Sequence, residues 1–322
     1  MNDQPNPQDA PKAAPEAAPR VSVVIPAYNA MRYLPQTVAS VLAQTFGDFE
    51  VLIVDDGSQD DTAGWAAAHP DARVRLVARP NGGAAAARNT GVQHAAGEYV
   101  AFLDADDLWQ PTKLEQQVAR ADADPEVGLV DCWISYIDGE GEPIGKVMTQ
   151  HLEGDVWAHM VEYNLVRCGS TPLVRRRLFD EVGSFDEGFR YAEDWEMWIR
   201  ITARYKFAVV KEPLVAYRQH ANNKHKNYQS LLPTLCRIIE KSFEDVPAAQ
   251  QHLKGRALGR AYLHTAWRSL LYTGDAGEAS QLRREAFAHY PGLRYAKNSI
   301  RLGLTIMKTR WLRRLKSIGT QS

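Results

Sequence analysis

Apolar runs alternate with amphipathic segments along the first part of the chain. Four runs rich in β-branched residues, each followed by polar or glycine-containing positions, read VSVVIPAY, FEVLIVDDGS, VRLVARP and EYVAFLDADD. Between them, helical segments read MRYLPQTVASVLAQ, DTAGWAAAH and NGGAAAARNTGVQHAA. This alternation predicts a mostly parallel sheet with helices on its faces, because parallel strands need a crossover connection that is usually a helix. The sequence therefore predicts an α/β fold.

The pattern changes after the fourth run. VGLVDCWISYIDGEGEPIG predicts two strands joined by a glycine-rich turn, and AEDWEMWIRIT predicts a loop that enters an amphipathic helix. FAVVKEPLVAYRQH predicts one further strand with a turn that ends at His220. From about Leu231 onward the spacing is helical throughout, and residues 257–291 predict a helical hairpin.

These patterns divide the chain into three parts. Residues 1–20 are rich in Pro and Ala and lack the apolar core of a signal peptide, so we expect a disordered leader. Residues 21–228 should form the sheet domain, and residues 229–322 a helical extension. No stretch approaches the roughly 18 consecutive apolar residues of a membrane span.

The net charge hides an uneven distribution of charged residues. Residues 292–322 carry eight Lys or Arg and no Asp or Glu, so the remainder of the chain sums to -9, which is -1 minus +8. This separation of signs predicts a basic tail that meets an anionic surface. The three cysteines, Cys132, Cys168 and Cys236, stand far apart without a C-x-x-C pair. Such usage favours a reducing compartment and argues against a zinc site.

Residues 300–318 predict a basic amphipathic helix. Its apolar stripe consists of Ile300, Leu304, Met307, Trp311, Leu315 and Ile318. The cations Arg310, Arg313, Arg314 and Lys316 fall mostly opposite. Such a helix suits the surface of an anionic membrane. The alternatives are that the stripe docks on the sheet domain or, more weakly supported, that the cations bind nucleic acid.

Three carboxylates, Asp104, Asp106 and Asp107, directly follow the fourth apolar run. They should lie at the carboxyl end of a strand, the edge where open α/β sheets bind ligands. Carboxylates spaced i, i+2 project to the same side, and Mg²⁺ or Mn²⁺ combines such groups with the oxygens of a substrate phosphate. The alternative is that Asp106 or Asp107 caps the next helix, and we expect capping chiefly of Asp107.

A second acidic pair, Asp55 and Asp56, ends an earlier strand that should reach the same edge. An Asp-Gly sequence after a strand is also an ordinary turn signal. The chain lacks the G-x-G-x-x-G fingerprint after its first strand and lacks a P-loop, so neither common phosphate-binding loop is present.

Three stretches together resemble the successive signatures of family 2 glycosyltransferases with the GT-A fold. They begin VSVVIPAYNAMRYLPQTVASVLAQ, RPNGGAAAARNTGVQHAAGEYVAFLDADDLW and GSFDEGFRYAEDWEMWIR, and the resemblance covers about residues 20–225. It implies a nucleotide-sugar site made of Pro26, Ala27, Tyr28, Asn29, Asp55, Asp56, Gly83, Arg88, Asp104, Ala105 and Asp106.

The resemblance also implies a role for each main donor-site residue. The Tyr28 ring would stack on a pyrimidine, and Asp56 would accept a base N–H. Asp104 would hold the ribose hydroxyls, and Asp106 would ligate Mn²⁺ or Mg²⁺ at the diphosphate. Arg88 would reach the nucleotide or stabilise the loop near it. Without the family pattern, Tyr28 reads equally well as packing and Arg88 as a surface ion pair.

The resemblance implies that Asp194 is the catalytic base, with Glu193 as its partner in position. The base of an inverting enzyme takes the proton of the acceptor hydroxyl. The alternative is helix capping, because both acids precede a helical run. His220 matches a late metal ligand of the family, although a lone histidine at a strand end is more often a surface residue.

The expected function is metal-dependent, inverting transfer of one sugar from a UDP- or dTDP-sugar to a cell-surface glycan or lipid-linked acceptor in the cytoplasm. The absence of a Q-x-x-R-W element and of a membrane span argues against a processive polysaccharide synthase. Two alternatives stay open. One is a nucleotidyltransferase, although PAYNAMRYL lacks the glycine-rich basic loop of that class. The other is a protein that binds nucleotide sugar without catalysis.

Overall fold

The computed structural model describes residues 18–220, 231–244 and 246–319, and it describes side chains of the last helix as far as Leu312. The expected disordered leader lies almost wholly outside the described residues. The expected domain boundary, between residues 228 and 229, also falls outside them, so both stay predictions.

The first part of the chain forms the strands and helices that the apolar pattern predicts. They are β1 (Val21–Ala27), α1 (Leu34–Leu42), β2 (Phe49–Asp55), α2 (Thr62–Ala67), β3 (Val74–Ala78), α3 (Ala84–His94) and β4 (Tyr99–Phe102). β2 and β4 are buried at every position, and β1 at every position except Pro26. Strands covered on both faces need apolar side chains on both, which explains the continuous runs.

The next part of the chain completes the sheet. Its elements are β5 (Leu108–Trp109), α4 (Lys113–Asp122), β6 (Val127–Ile137), β7 (Pro143–Met148), α5 (Trp157–Met160), β8 (Leu173–Arg175), α6 (Leu178–Glu181), α7 (Glu193–Thr202) and β9 (Lys206–Arg218). β6 and β7 form the hairpin that the glycine-rich turn predicts.

All strands join one sheet in the order β3-β2-β1-β4-β8-β6-β9-β5, with β7 paired to β6. The first four are parallel. Their register sets Ala27 beside Asp55 and Val24 beside Phe102. The residues that follow β1, β2 and β4 therefore meet at one edge of the sheet, as the sequence predicts.

The second half of the sheet is more antiparallel than the pattern predicts. β8 runs antiparallel to β4 and β6, and β5 runs antiparallel to β9. β5 has two residues and β8 three, so neither is long enough to show a period of alternation. The α/β class with a helical extension is confirmed, and this mixed half is the difference.

Asp107 does not cap the next helix, so that prediction is wrong. α4 begins at Lys113 with Thr112 at its N-cap position. The Asp107 side chain is fully buried instead. It accepts hydrogen bonds from the Ser170 hydroxyl at 2.6 Å and from the backbone N–H of Arg218 at 2.9 Å. Burial and the neighbouring carboxylates of Asp106 and Asp104 raise the pKa of Asp107 well above its ordinary value.

The helical extension consists of α8 (Leu231–Ser242), α9 (Leu253–Tyr272), α10 (Ala276–His289) and α11 (Lys297–Gly319), with 3-10 helices at Ala248–Gln250 and Pro291–Tyr295. α9 and α10 form the predicted hairpin. Gly274 supplies its turn with a φ of 64°. The Asp275 side chain caps α10 by accepting from the N–H groups of Gly277 and Glu278.

The extension packs into the core of the sheet domain. One apolar cluster joins Phe102 of β4 and Trp198 of α7 to Ile238 of α8 and Ala257 of α9. Buried charges add to this junction, because Glu162 has a side chain that is only 2% exposed and pairs with Arg256 of α9 at 2.8 Å. The first two helices of the extension are therefore continuous with the sheet domain.

The predicted stripe of α11 does not dock on the sheet domain where the structure describes it. Leu302 and Ile306 of α11 are buried and belong to a cluster with α9 and α10. The stripe residues Ile300, Leu304, Met307 and Trp311 are exposed. The predicted members Leu315 and Ile318 lie beyond the described side chains. No helix among the described residues is long and apolar enough to cross a membrane.

Replacing Glu162 should weaken the junction between the extension and the sheet domain. Glu162→Gln leaves Arg256 and Arg260, which lie 2.8 and 3.6 Å from the carboxylate, without their buried counter-charge. We expect the free energy of unfolding to fall by about 2 kcal/mol, measured by urea denaturation followed by circular dichroism. The exposed Glu285→Gln on α10 is the control, and equal midpoints for both variants would contradict the prediction.

Candidate active site

A buried arginine lies at the centre of the acidic edge. Arg88, from the first half of α3, donates through Nη2 to Oδ1 of Asp104 at 2.9 Å and through Nη1 to Oε1 of Glu193 at 2.8 Å. Its side chain is 7% exposed. Burial lowers the pKa of Arg88, but the carboxylates of Asp104 and Glu193 outweigh it and hold the pKa above its usual value. The reading of Arg88 as a surface ion pair is therefore wrong.

The loop before β8 closes over this ion pair. A Cβ atom added to Gly169 would lie 2.9 Å from Oδ2 of Asp104 and 3.0 Å from Nη2 of Arg88. Real Cβ atoms rarely approach other atoms so closely, so only glycine leaves the pair undisturbed here. The adjacent Ser170 accepts the backbone N–H of Asp104 at its hydroxyl oxygen, at 3.0 Å. The loop thus fixes the backbone of Asp104 and lies against one side of its side chain, which stays 34% exposed.

Asp194 follows Glu193 at the start of α7. Burial and the Glu193 carboxylate together raise the pKa of Asp194 to about 6, against the opposing effect of the Arg88 guanidinium. A carboxylate with that pKa is mostly ionised at neutral pH and is a stronger proton acceptor than an ordinary aspartate. The raised pKa is the property that a general base needs.

The two acids of α7 lie in its first turn and not at its N-cap position, and Oδ1 of Asp194 accepts the first-turn N–H of Trp195 at 2.7 Å. The N-cap position is Ala192, and α7 begins at Glu193. Ala192 has a φ of 58°, in the left-handed region that alanine rarely adopts. Such backbone strain is most often found at functional sites. The turn places Glu193 and Asp194 in the first turn of α7, next to Arg88.

Asp106 and His220 face each other beside this cluster. Nε2 of His220 lies 2.8 Å from Oδ2 of Asp106, and the two side chains are 16% and 32% exposed. The His220 ring stacks on Tyr33 with centroids 5.3 Å apart. Burial and the charge of Asp104 raise the pKa of Asp106, and His220 opposes the rise. His220 is therefore not an ordinary surface histidine.

The pair of Asp106 and His220 fits a divalent ion that takes its other ligands from substrate and water. Mg²⁺ commonly uses one or two carboxylates together with substrate phosphates, and imidazole also binds transition metals such as Mn²⁺. Within the described ranges, no three His, Cys, Asp or Glu side chains converge as a complete metal site. Asp106 and His220 would contribute one carboxylate and one imidazole to such a site.

The loop after β1 forms a wall at the same edge. Pro26 and Ala27 end β1, and the Tyr28 side chain follows with 50% exposure. Asn29 has a φ of 49°. Its side-chain oxygen accepts the N–H of Gln59 at 2.7 Å, which ties this loop to the loop after β2. The exposed Tyr28 ring is free to stack on a planar ligand.

The acids at the end of β2 are held by neighbouring loops. The Asp56 carboxylate accepts from the N–H groups of Gly82 at 3.0 Å and Gly83 at 2.7 Å, and it pairs with Arg79. Gly83, with a φ of 89°, is the N-cap residue of α3. Asp55 accepts the N–H of Ser58 at 3.3 Å. A carboxylate has about four acceptor positions, so Asp56 keeps one for a further donor.

Several residues that build the site escaped the sequence analysis. They are Tyr33, Arg79, Cys168, Gly169, Ser170 and Arg218. Arg218 donates through Nε to the carbonyl of Asp106 at 2.7 Å, and its guanidinium lies 4.7 Å from the Tyr33 ring centroid. One signal was present, because Arg218 is the last residue of β9 and stands only two residues before His220. The other site residues lie outside regular strands and helices, where the sequence has no periodicity that indicates a contact.

Comparisons of sequence and of structure relate this chain to known proteins. A sequence model described as Glycosyl transferase family 2 matches residues 22–183. An uncharacterized glycosyltransferase of Rickettsia prowazekii is 30% identical over 206 residues, which cover 62% of this chain and 64% of that protein, just under two thirds. The Escherichia coli UDP-Glc:alpha-D-GlcNAc-diphosphoundecaprenol beta-1,3-glucosyltransferase WfgD is 33% identical over 188 residues, which cover 56% of this chain and 69% of the enzyme.

Solved structures share the fold at low identity. S. aureus TarS 1-349 in complex with UDP-GlcNAc superposes with a TM-score of 0.56 at 19% identity, covering 85% of this chain and 92% of that one. The mannosyltransferase PcManGT from Pyrobaculum calidifontis, in complex with GDP-Man and Mn²⁺, gives a TM-score of 0.55 at 21% identity, covering 92% and 88%. These similarities concern the path of the backbone.

Gly169→Ala should destabilise the protein by displacing the buried ion pair. The added methyl group meets Asp104 and Arg88 at 2.9 and 3.0 Å, and overpacking of this kind costs about 1–3 kcal/mol. We expect a lower melting temperature in differential scanning fluorimetry. Gly47→Ala is the matched control, because no atom lies within 4 Å of its added Cβ. A melting temperature equal to that of the control would refute the close approach.

Proposed function

The chain belongs to glycosyl transferase family 2, and from this premise we propose that it transfers a single sugar from a nucleoside-diphosphate sugar to an acceptor hydroxyl, with inversion. One observation carries the proposal. Arg88 joins Asp104, at the expected donor side, to Glu193, which precedes the proposed base Asp194. In this arrangement the proposed base, an acid of raised pKa, would lie beside the proposed position of the leaving diphosphate, which supports the proposal.

The donor side has features that suit a nucleotide sugar. Tyr28 presents an exposed ring for a base, and Asp56 retains capacity to accept a base N–H. Asp104 is 34% exposed and has one oxygen bound to Arg88, so its second oxygen would accept the ribose hydroxyls. The UDP-GlcNAc and GDP-Man in the related structures support this class of donor. We favour UDP- or dTDP-sugars because a Tyr28 stack suits a pyrimidine.

In the proposed reaction Asp194 takes the proton of the acceptor hydroxyl. The acceptor oxygen then forms a bond to the anomeric carbon from the face opposite the diphosphate. The bond between that carbon and the phosphate oxygen breaks, and the electron pair leaves with the nucleoside diphosphate. Glu193 and Arg88 act on the proton transfer through their charges, because the first raises the pKa of Asp194 and the second limits the rise.

Asp106 and His220 would hold Mn²⁺ or Mg²⁺ during the reaction. Such an ion supplies positive charge that stabilises the departing diphosphate. Nε2 of His220 and Oδ2 of Asp106 lie 2.8 Å apart, so one ion would contact both atoms by replacing the hydrogen bond between them.

The acceptor we propose is a lipid-linked sugar or a growing cell-surface glycan at the cytoplasmic face of a membrane. The E. coli relative, whose name gives a diphosphoundecaprenol-linked acceptor, supports the lipid-linked class. The free state of Cys132, Cys168 and Cys236 agrees with a reducing compartment.

Asp194→Asn should remove sugar transfer while leaving donor binding intact. The amide cannot accept the acceptor proton, so we expect the transfer rate to fall by at least ~100-fold. Transfer is followed by release of nucleoside diphosphate across a panel of nucleotide sugars, and donor binding by thermal shift. Asp180→Asn on the exposed side of α6 is the control. Unchanged transfer would remove Asp194 as the base, and release of pyrophosphate would favour a nucleotidyltransferase.

The pH dependence of kcat/KM should follow the ionisation of Asp194. Because the base acts in its ionised form, kcat/KM should rise with pH through an apparent pKa of about 6 and level off above it. Glu193→Gln removes a negative charge that raises this pKa. The acidic limb of the profile should therefore move to lower pH in that variant, and a limb that moves to higher pH would contradict the assignment.

A further inference from the structure

The last helix, α11, has two apolar faces, of which one is buried and the other is exposed. Leu302 and Ile306 are 0% and 4% exposed, and they pack in the cluster with α9 and α10. A second row points away from that cluster. Its members are Ile300, Leu304, Met307 and Trp311, with exposures of 49%, 59%, 60% and 60%. Their spacing of four, three and four residues places them in one stripe along α11.

Cations flank this exposed stripe on both sides. At 100° per residue, Arg301 and Lys308 lie roughly 60–90° to one side of its centre and Arg310 roughly 90° to the other. Arg310 therefore lies beside the stripe, whereas the sequence pattern predicted it mostly opposite. It is held there by hydrogen bonds from Nη2 to the carbonyl of Ala276 at 3.1 Å and to the Ser280 hydroxyl at 2.8 Å. The rim of the apolar face is thus positively charged.

We propose that this face of α11 binds the surface of an anionic lipid bilayer, with the stripe in the headgroup region and the flanking cations on lipid phosphates. Helices that lie in a membrane interface combine these two features, and a Trp commonly sits at the headgroup level. Each Lys or Arg near an anionic surface contributes attraction that falls off within a Debye length. The helix is already folded and docked, so little ordering is needed on binding.

The positive charge of α11 favours an anionic lipid surface over a second copy of the chain or nucleic acid as the partner of this face. Residues 292–322 contain eight Lys or Arg and no Asp or Glu. A second copy that used the same face across a two-fold axis would bring like charges together. Nucleic acid would engage the cations but would leave Leu304 and Met307 in water. An anionic bilayer satisfies both the apolar stripe and its charged rim.

The inference is independent of the proposed reaction, because its test measures vesicle binding alone. The full-length protein is sedimented with vesicles of phosphatidylcholine containing phosphatidylglycerol and with vesicles of phosphatidylcholine only. We expect binding to the anionic vesicles that weakens as salt is added. Leu304→Ser combined with Trp311→Ser should reduce the bound fraction at least tenfold, and Lys308→Glu should reduce it selectively at low salt.

Two control variants test whether a loss of vesicle binding is specific to α11. Ile144→Ser with Val147→Ser removes two side chains of 48% and 51% exposure from β7, and Arg284→Glu reverses a charge on the exposed side of α10. Both should bind as the unaltered protein does, and circular dichroism checks that every variant is folded. Equal binding by the α11 variants, or binding indifferent to lipid charge, overturns the proposal. A dimer in light scattering that Leu304→Ser dissociates assigns the face to a second copy and also overturns it.

Discussion

The contacts of Arg88 with Asp104 and Glu193 determine how the acidic edge of this protein is built. A guanidinium that is 7% exposed cannot keep its hydration, so it needs carboxylates at hydrogen-bond distance in compensation. One of these carboxylates, Asp104, follows β4, and the other, Glu193, begins α7. The two residues are 89 positions apart in the sequence, which is 193 minus 104. The same cation counters the rise in the pKa of Asp194. One side chain therefore joins the two halves of the site and sets the electrostatics between them.

Two residues other than glycine at the acidic edge have a left-handed backbone conformation. Asn29 and Ala192 both have positive φ values, at 49° and 58°. Such conformations cost of order 1–3 kcal/mol each and persist only where surrounding contacts over-determine them. The Asn29 side chain is fixed by backbone groups of the loop after β2, and Ala192 precedes a helix whose Trp195 donates from its indole N–H to the carbonyl of Met160. These hydrogen bonds hold the loop after β1 and the start of α7 in place.

The extension is tied to α7 as well as to the sheet. Lys241 of α8 lies 2.8 Å from both Glu196 of α7 and Asp186 in the loop before it. Glu196 is buried and also accepts from Arg200 one turn later. The helix that carries the proposed base is therefore clamped by a cation from the extension. At the far end of the extension, α11 docks by Leu302 and Ile306 and leaves its other apolar face uncovered.

The amino-acid sequence by itself determined the elements and their order. β1 to β4 and α1 to α3 lie where the apolar runs and the helical spacing predict them, because both patterns are local properties of the sequence. The same holds for the meeting of Asp55 and Asp104 at one sheet edge, since parallel strands bring their carboxyl ends together. The amphipathic character of α11 was likewise visible in its spacing.

The tertiary structure decided which of these residues contact one another. Asp107 was expected at a helix cap and is buried on Ser170 and the backbone of Arg218 instead. The strands β5 and β8, with two and three residues, have too few positions to show a pattern. The face by which α11 docks was equally hidden, because both of its faces carry apolar residues. Periodicity shows which face of its own helix or strand a side chain lies on. Contacts between distant residues depend on the paths of the loops and on the need to pair buried charges, and neither produces a periodic pattern in the sequence.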